Sequence, residues 1–178
     1  MSAGASPRPL AGATAHAVGD SVALRVATER LAALGCEVFH GPGTPPPEAP
    51  AGWIGLTAMP GGGTVPEPVG CGVDWRGPVA LPLTGERDVQ AVCGLAHLHG
   101  RSRGVPRFLG VDYASVCAGV LTAQAVAACA LALTRGGDAL ASRVSVAAAS
   151  LLAAGRRMVS DCFSAIASAA RRAGGWVA

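Results

Sequence analysis

The side chains that could carry out chemistry concentrate in one short stretch near the middle of the chain. Ser115 could act as a nucleophile only with a base within hydrogen-bond reach, and His97 and His99 are the nearest candidates in sequence. The alternative for both histidines, which the surroundings favour, is a surface or loop position, and they are too few for a metal site without acidic or cysteine partners. Asp112 offers a carboxylate three residues before Ser115, although a turn or cap aspartate after Gly110 fits the same position.

Glu86 and Asp88 form a second candidate group, on either side of Arg87. A buried carboxylate with a raised pKa could serve as a general acid or base. The alternative is that both acids lie in the solvated first turn of a helix, where the helix dipole favours negative charge. The candidate catalytic residues are therefore Ser115, Asp112, Glu86 and His97.

The elements that must position these residues begin with a strand–helix–strand unit. Residues 13–18 form an apolar run typical of a buried strand. A helix is predicted over 22–34, capped by Asp20 or Ser21 and ended by Gly35. A second strand follows at 36–39. Such a unit is the seed of a parallel sheet.

The rest of the chain alternates connections and Ala-rich helices. Residues 41–72 are rich in Gly and Pro and are interpreted as a flexible connection with one short strand at 53–56. Further elements are predicted in the following order: a helix at 88–97, a turn at 100–106, a long helix at 115–133, a strand at 143–146 and one or two helices over 147–173.

Composition excludes some classes of function. The chain has 178 residues, suiting one domain, and a net charge of +3 with scattered arginines. Nucleic-acid-binding proteins concentrate positive charge in a patch that is interleaved with aromatic side chains. This sequence has no such patch, so nucleic-acid binding is not predicted. The segment 116–133 is uncharged and long enough to span a bilayer. It is mostly Ala with two polar residues inside, so we predict a buried helix rather than a membrane span.

The cysteines point to a reducing compartment. None of the six forms a CxxC or CxxH pair, and most lie inside apolar runs. Free buried thiols are therefore predicted instead of a disulfide framework. This pattern and the absence of an apolar signal core at the N-terminus predict a cytoplasmic protein.

Three sequence blocks, in this order and spacing, resemble the class III CoA-transferase (CaiB/BaiF) family. They are PLAG at 9–12 through LGCEV at 34–38, GP at 77–78 through DVQAVCG at 88–94, and 100–119 continuing to GG at 136–137 and VS at 144–145. The resemblance implies an α/β fold with a reduced Rossmann-like parallel sheet and flanking Ala-rich helices. It also implies one truncated domain over 9–178, after a leader at 1–8 that is predicted to be disordered.

The departures from the family pattern concern its chemistry. The family's catalytic aspartate lies four residues before the glycine that precedes the long helix. Gly119 matches that glycine, so Ser115 matches the aspartate. A second family aspartate matches Glu86. The long segment with basic residues that hold CoA is absent, and residues 41–72 are too short to replace it.

These departures bear on the reaction. In the family an aspartate attacks an acyl-CoA thioester to form a mixed anhydride, and the released CoA then converts this to an aspartyl-CoA thioester, from which CoA passes to a new acid. A serine can form only an ester, so ordinary CoA transfer is not expected of Ser115. A shift of one helical turn would instead bring in Asp112 as a substitute carboxylate.

Two functions follow from the resemblance, and whether the chain is an enzyme stays open. The chain could be a repurposed enzyme acting on an acyl thioester or a related small molecule in biosynthesis. Alternatively it could be a non-catalytic subunit paired with a complete homologue, since family members form interlocked dimers, or with another pathway protein. A homodimer or a heterodimer with a related chain is expected, with no cofactor, although a CoA thioester is a possible substrate.

Overall fold

The computed structural model describes residues 8–42, 51–65, 69–77, 82–138 and 141–155. The strands are β1 (Thr14–Val18), β2 (Glu37–His40), β3 (Gly52–Met59), β4 (Gly63–Thr64), β5 (Gly70–Asp74) and β6 (Ser142–Ser145). The helices are α1 (Val22–Ala33), α2 (Glu86–Val92), α3 (Leu95–Gly100), α4 (Tyr113–Thr134) and α5 (Val146–Gly155), with a 3-10 turn at Arg101–Arg103. The predicted α/β class is confirmed. The predicted leader, except Arg8, and the predicted helical residues 156–173 lie outside the described residues.

The strand–helix–strand unit forms as predicted. The hydroxyl of Ser21 accepts a hydrogen bond of 3.1 Å from the Leu24 N–H, so Ser21 rather than Asp20 caps α1. Gly35 follows the helix with a φ of 96°, a left-handed conformation that glycine adopts without steric penalty. β1 and β2 then pair in parallel, with Thr14 opposite Glu37.

The sheet itself is mixed, so the predicted parallel sheet is wrong. Its strand order is β2-β1-β3-β5-β6, with β4 paired to β3. β3 runs antiparallel to both β1 and β5, whereas β5 and β6 are parallel. A parallel crossover needs a long connection, usually a helix, while antiparallel strands need only a short one.

The strand predicted at 53–56 is confirmed as the middle of β3, but the interpretation of the rest of 41–72 as a flexible connection is wrong, because β4 and most of β5 also lie there. Its glycines bring strands close together. A Cβ on Gly70 would lie 2.0 Å from the carbonyl oxygen of Ile54, and one on Gly55 would lie 2.8 Å from the Trp53 indole nitrogen. Glycine thus leaves room for a neighbouring strand and for the Trp53 ring.

The core lies between the sheet and the helices α1 and α4, which pack against each other. α1 also packs against β2 and β3, and α4 packs against β3, β5 and β6. Small side chains line this contact. Ala23 and Ala27 of α1 are buried, as are Ala118 and Gly119 of α4. With so few bulky residues, close approach of the backbones fills the interior.

α4 is long and apolar enough to cross a membrane by length and composition, and no other helix of the described segments is. One face packs in the core, as described above. The other face is apolar yet accessible, since Val116 is 41% and Leu131 is 49% exposed. The prediction of a buried helix therefore holds for one face of α4 only.

The predicted helix at 88–97 is two helices in the structure. Gly94 adopts a φ of 77° between α2 and α3 and breaks the helical path. α4 begins at Tyr113, so Gly119 lies in its second turn. The glycine that set the register of the family resemblance therefore lies inside the long helix and does not precede it.

Candidate functional site

The amino ends of α2 and α4 meet at the carboxylate of Glu86, the first residue of α2. Its Oε1 accepts hydrogen bonds from the Ala114 N–H at 2.8 Å and the Gln90 Nε2 at 2.9 Å. Its Oε2 accepts from the Ser115 N–H at 2.9 Å and the Ser115 hydroxyl at 2.6 Å. A carboxylate offers about four acceptor positions, and all of them are occupied.

This carboxylate performs the capping that α4 lacks locally. The first N–H groups of a helix have no partner within the helix. Asp112 occupies the N-cap position, but its side chain makes no capping hydrogen bond. Ala114 and Ser115 are buried, so water cannot replace the missing acceptor. Glu86 supplies it from α2 and adds a negative charge at the positive end of the helix dipole.

Gln90 extends the contact to the segment before α4. It lies one turn after Glu86 and is 2% exposed. Its Nε2 also donates to the Val111 carbonyl at 2.9 Å, and its Oε1 accepts from the Leu109 N–H at 3.0 Å. Two of the three hydrogen bonds of this buried amide are therefore made to the short segment before α4, and the third is made to Glu86. Glu86 thus binds the first turn of α4, and Gln90 binds the segment just before it.

Two of the four predicted site residues, Ser115 and Glu86, are brought together. The Ser115 side chain lies inside the protein, with the residue only 3% exposed. Its hydroxyl proton is committed to a carboxylate that already holds three other donors. A nucleophilic serine needs access to substrate and a base able to take its proton. The arrangement fits a helix-capping contact better than an activated nucleophile.

The other two residues do not join this pair. Asp112 is exposed at the head of α4. His97 is exposed on α3, and the neighbouring His99 places its Nδ1 3.1 Å from the Arg107 carbonyl oxygen. His97 and His99 therefore lie at the surface, which was the alternative to a catalytic role.

Asp88 has a separate capping role at the start of α2. It accepts hydrogen bonds from the Thr84 N–H at 3.0 Å and from the Thr84 hydroxyl at 2.9 Å. The backbone bond, followed by the hydroxyl bond, holds the pKa of Asp88 below its ordinary value. A general acid needs a raised pKa instead. Asp88 therefore fits the alternative, a carboxylate in the first turn of a helix.

A second polar contact joins the ends of β5 and β6. The carboxylate of Asp74, which is 6% exposed, accepts from the Gly77 N–H and lies 3.9 Å from the Arg143 Nε. Ser145 caps α5 by accepting from the Ala148 N–H at 2.8 Å. The cap of α5 is thus local, whereas α4 is capped by Glu86 from another helix.

Two pockets lie elsewhere. One, of about 450 Å³, lies between the start of α1 and the end of β2 and is lined by polar residues including Asp20, Glu29 and His40. The other, of about 250 Å³, is apolar and lies near Leu34, Met59 and the end of α4. Neither lining includes Glu86 or Ser115. Across the described segments, no group of three or more His, Cys, Asp or Glu residues could hold a metal ion.

The five described cysteines are free thiols, and all but Cys117 are buried. Burial is the main reason why the pKa of Cys36, Cys71, Cys93 and Cys117 is raised. A raised pKa keeps a thiol neutral and a poor nucleophile. These cysteines therefore act as small apolar side chains, as the sequence predicts.

We expect these thiols to make the fold less stable in alkaline solution. Each raised pKa favours the protonated thiol in the folded chain, whereas the unfolded chain ionises near the ordinary value of 9.0. The stabilisation is complete below that pH and is lost as the pH rises through the folded-state values. Urea midpoints at about pH 8 and about pH 10 should differ less for Cys71→Val than for the native chain, if burial of this thiol contributes. An equal difference in both proteins would contradict the assignment.

No protein-family model, curated protein or solved structure matches the chain. The resemblance to class III CoA-transferases accordingly stays a prediction.

Proposed function

We propose that the chain is a non-catalytic subunit that pairs with another chain, either a related CoA-transferase-like protein or a second copy of itself. The observation that carries this proposal is the closed contact between Glu86 and Ser115. Four hydrogen bonds occupy the carboxylate, and the serine hydroxyl is buried. The groups best placed to replace the missing catalytic aspartate are used to build a helix terminus.

The surface of the helices supports a partner. Val116 and Leu131 are exposed on α4, and on α5 Leu151 is 49% and Leu152 is 57% exposed. Exposed apolar side chains that recur along a helix mark surfaces that other proteins cover. Pairing would bury them, and it requires no chemistry at Ser115.

An acyl-thioester enzyme is the second candidate, and one distance favours it. The Ser115 hydroxyl lies 2.6 Å from the Glu86 carboxylate, within the range expected between a nucleophile and its base. For this reading, a movement of α2 would have to release the carboxylate from its other donors and open the site to substrate. The exposed Asp112 at the head of α4 would then be the nearest free carboxylate.

The two candidates predict different behaviour toward CoA. For the subunit, we expect isothermal titration of CoA and of acetyl-CoA into the purified chain to give no saturable binding. Thiol release from acetyl-CoA should stay at the uncatalysed rate. Sedimentation of the chain alone should give the mass of two chains where the partner is a second copy, and the mass of one chain where the partner is a different protein. Ser115→Ala should leave all three results unchanged, because the hydroxyl only completes a capping contact.

The opposite results would favour the enzyme. Saturable CoA binding by a well-folded chain, together with thiol release abolished in Ser115→Ala, would overturn the subunit proposal. Asp112→Asn is the matched variant, since its carboxylate is exposed and its loss should not disturb the fold. Loss of thiol release in this variant alone would assign the chemistry to Asp112.

A further inference from the structure

The structure gathers positive charge on one surface, which we define as the α2–α3 surface: α2, α3 and residues 101–111. The chain carries no acidic residue between Asp88 and Asp112, yet this stretch holds three arginines and two histidines. Arg87 joins them, because its guanidinium lies 5.4 Å from the centre of the Phe108 ring. The neighbouring carboxylates of Glu86 and Asp88 are occupied by hydrogen-bond donors. Four of the arginines that look scattered in the sequence thus belong to this surface: Arg87, Arg101, Arg103 and Arg107.

The exposed part of this surface is held in a fixed shape. Residues 101–108 are all exposed. The Arg107 N–H donates to the Ala96 carbonyl at 2.8 Å, and the Leu109 N–H donates to Gln90 at 3.0 Å. A Cβ on Gly100 would lie 1.8 Å from the Val105 carbonyl oxygen, so the loop is packed onto the end of α3. A preformed loop loses little conformational entropy when it binds.

The same surface exposes large apolar side chains. Val105 is 58%, Phe108 is 46% and Val111 is 61% exposed, and Val92 on α2 is 47% exposed. Protein interfaces are enriched in arginine and aromatic residues, and their energetic centres combine apolar anchors with charged contacts. The α2–α3 surface has this composition.

From these observations we propose that the α2–α3 surface binds an acidic segment of a partner protein, one whose carboxylates alternate with apolar side chains. The arginines would pair with the carboxylates, and Val105, Phe108 and Val111 would contact the apolar side chains. The inference extends the proposed function, because it assigns the partner's chemistry. It does not depend on the partner being a CoA-transferase homologue.

A nucleic acid or a free phosphate fits this surface less well. Single-stranded nucleic acids stack their bases on open aromatic faces, whereas Arg87 lies over the Phe108 ring. Phosphate sites use converging backbone N–H groups, whereas those of Arg107 and Leu109 already have acceptors. The exposed valines add nothing to phosphate binding but do add contact area for a protein segment.

The test uses synthetic probes with the full-length chain. A fluorescent peptide of about twelve residues with alternating Glu and Leu should bind, as measured by anisotropy, about tenfold more tightly than a peptide with Ser in place of Leu. Raising the salt concentration from about 50 to 200 mM should weaken binding. An oligouridine of similar length should bind no better than the Ser peptide.

Variants assign the binding to this surface. The double variant Arg103→Glu/Arg107→Glu should weaken binding of the Glu–Leu peptide at least about tenfold. Arg30→Glu, an equally exposed change near the end of α1, should leave binding unchanged, and circular dichroism should show both proteins folded. Phe108→Ser keeps the arginines and should also weaken binding.

Three results would overturn the inference. They are absence of binding to the Glu–Leu peptide, binding that the double variant does not weaken, and tighter binding of the oligouridine than of the peptide. The last result would assign the surface to nucleic acid. Because none of these measurements involves CoA or the mass of the assembly, the inference and the proposed function can fail separately.

Discussion

Glu86→Ala is expected to lower the free energy of unfolding by about 3–5 kcal/mol, the largest effect of any single polar substitution considered for this chain. The change removes one acceptor from four donors. Two are backbone N–H groups of Ala114 and Ser115, which no other helical residue can satisfy and which water does not reach. A buried donor without a partner costs about 1–3 kcal/mol, and loss of the charge at the helix terminus adds to it.

Glu86→Gln separates the charge from the shape of the side chain. The amide oxygen can still accept from one pair of donors, but the amide nitrogen then faces a second pair of donors. We expect a loss of about 2 kcal/mol, smaller than for alanine. Urea denaturation measures both changes, provided that the m-value stays constant. Glu29→Gln, the same change at an exposed position of α1, should alter stability by less than about 0.5 kcal/mol.

A double-mutant cycle tests whether Glu86 acts through Ser115. If the carboxylate and the hydroxyl stabilise each other, Glu86→Ala and Ser115→Ala should be non-additive by about 1 kcal/mol or more. Additive effects would mean that the Ser115 hydroxyl adds nothing to the cap. A Glu86→Gln protein as stable as the native chain would mean that the carboxylate is not a structural cap. The second outcome would return Glu86 to the list of catalytic candidates.

The first half of the fold could be predicted because its signals are local. The Ser21 cap and the Gly35 terminus are read from neighbouring residues, and they delimit α1 to within one residue at each end. The parallel pairing of β1 and β2 follows from the helix between them. No such signal exists for β3, whose direction depends on pairing with strands on both sides.

The glycines explain why the middle of the sheet was missed. Gly70 and Gly55 resemble loop residues in the sequence, but each makes room for another backbone or for an aromatic ring. The distinction between a flexible glycine and a closely packed one depends on tertiary contacts that a single sequence does not reveal.

The site was predicted in its residues but not in its role. Glu86 and Ser115 are 29 positions apart, and each was singled out for chemistry. What the sequence did not reveal is that Ala114 shares the same carboxylate and that Gln90 completes the contact. The available signal was the spacing of four between Glu86 and Gln90, which places both on one face of α2.

Substitution of Gly119 is expected to have the second large effect on stability, because α1 and α4 are in close contact at this residue. A Cβ at this position would lie 2.5 Å from the Ala23 carbonyl oxygen and 2.7 Å from the Val26 Cβ. The first neighbour is backbone and cannot rotate away, so the two helices would have to separate. We expect Gly119→Ala to lose about 2 kcal/mol and Gly119→Val about 3 kcal/mol, measured by urea denaturation.

The sign of the Gly119→Ala effect is informative, because helix propensity alone predicts a gain. Alanine is more favourable than glycine inside a helix by about 1 kcal/mol, and overpacking must exceed this gain for stability to fall. Gly155→Ala is the matched control, since nothing lies within 4 Å of a Cβ at that position of α5. It should be neutral or stabilising. If Gly119→Ala were also stabilising, α1 and α4 would not be in backbone contact. The first turn of α4, which Glu86 caps and Gln90 connects to α2, would then lie at a different position relative to the sheet.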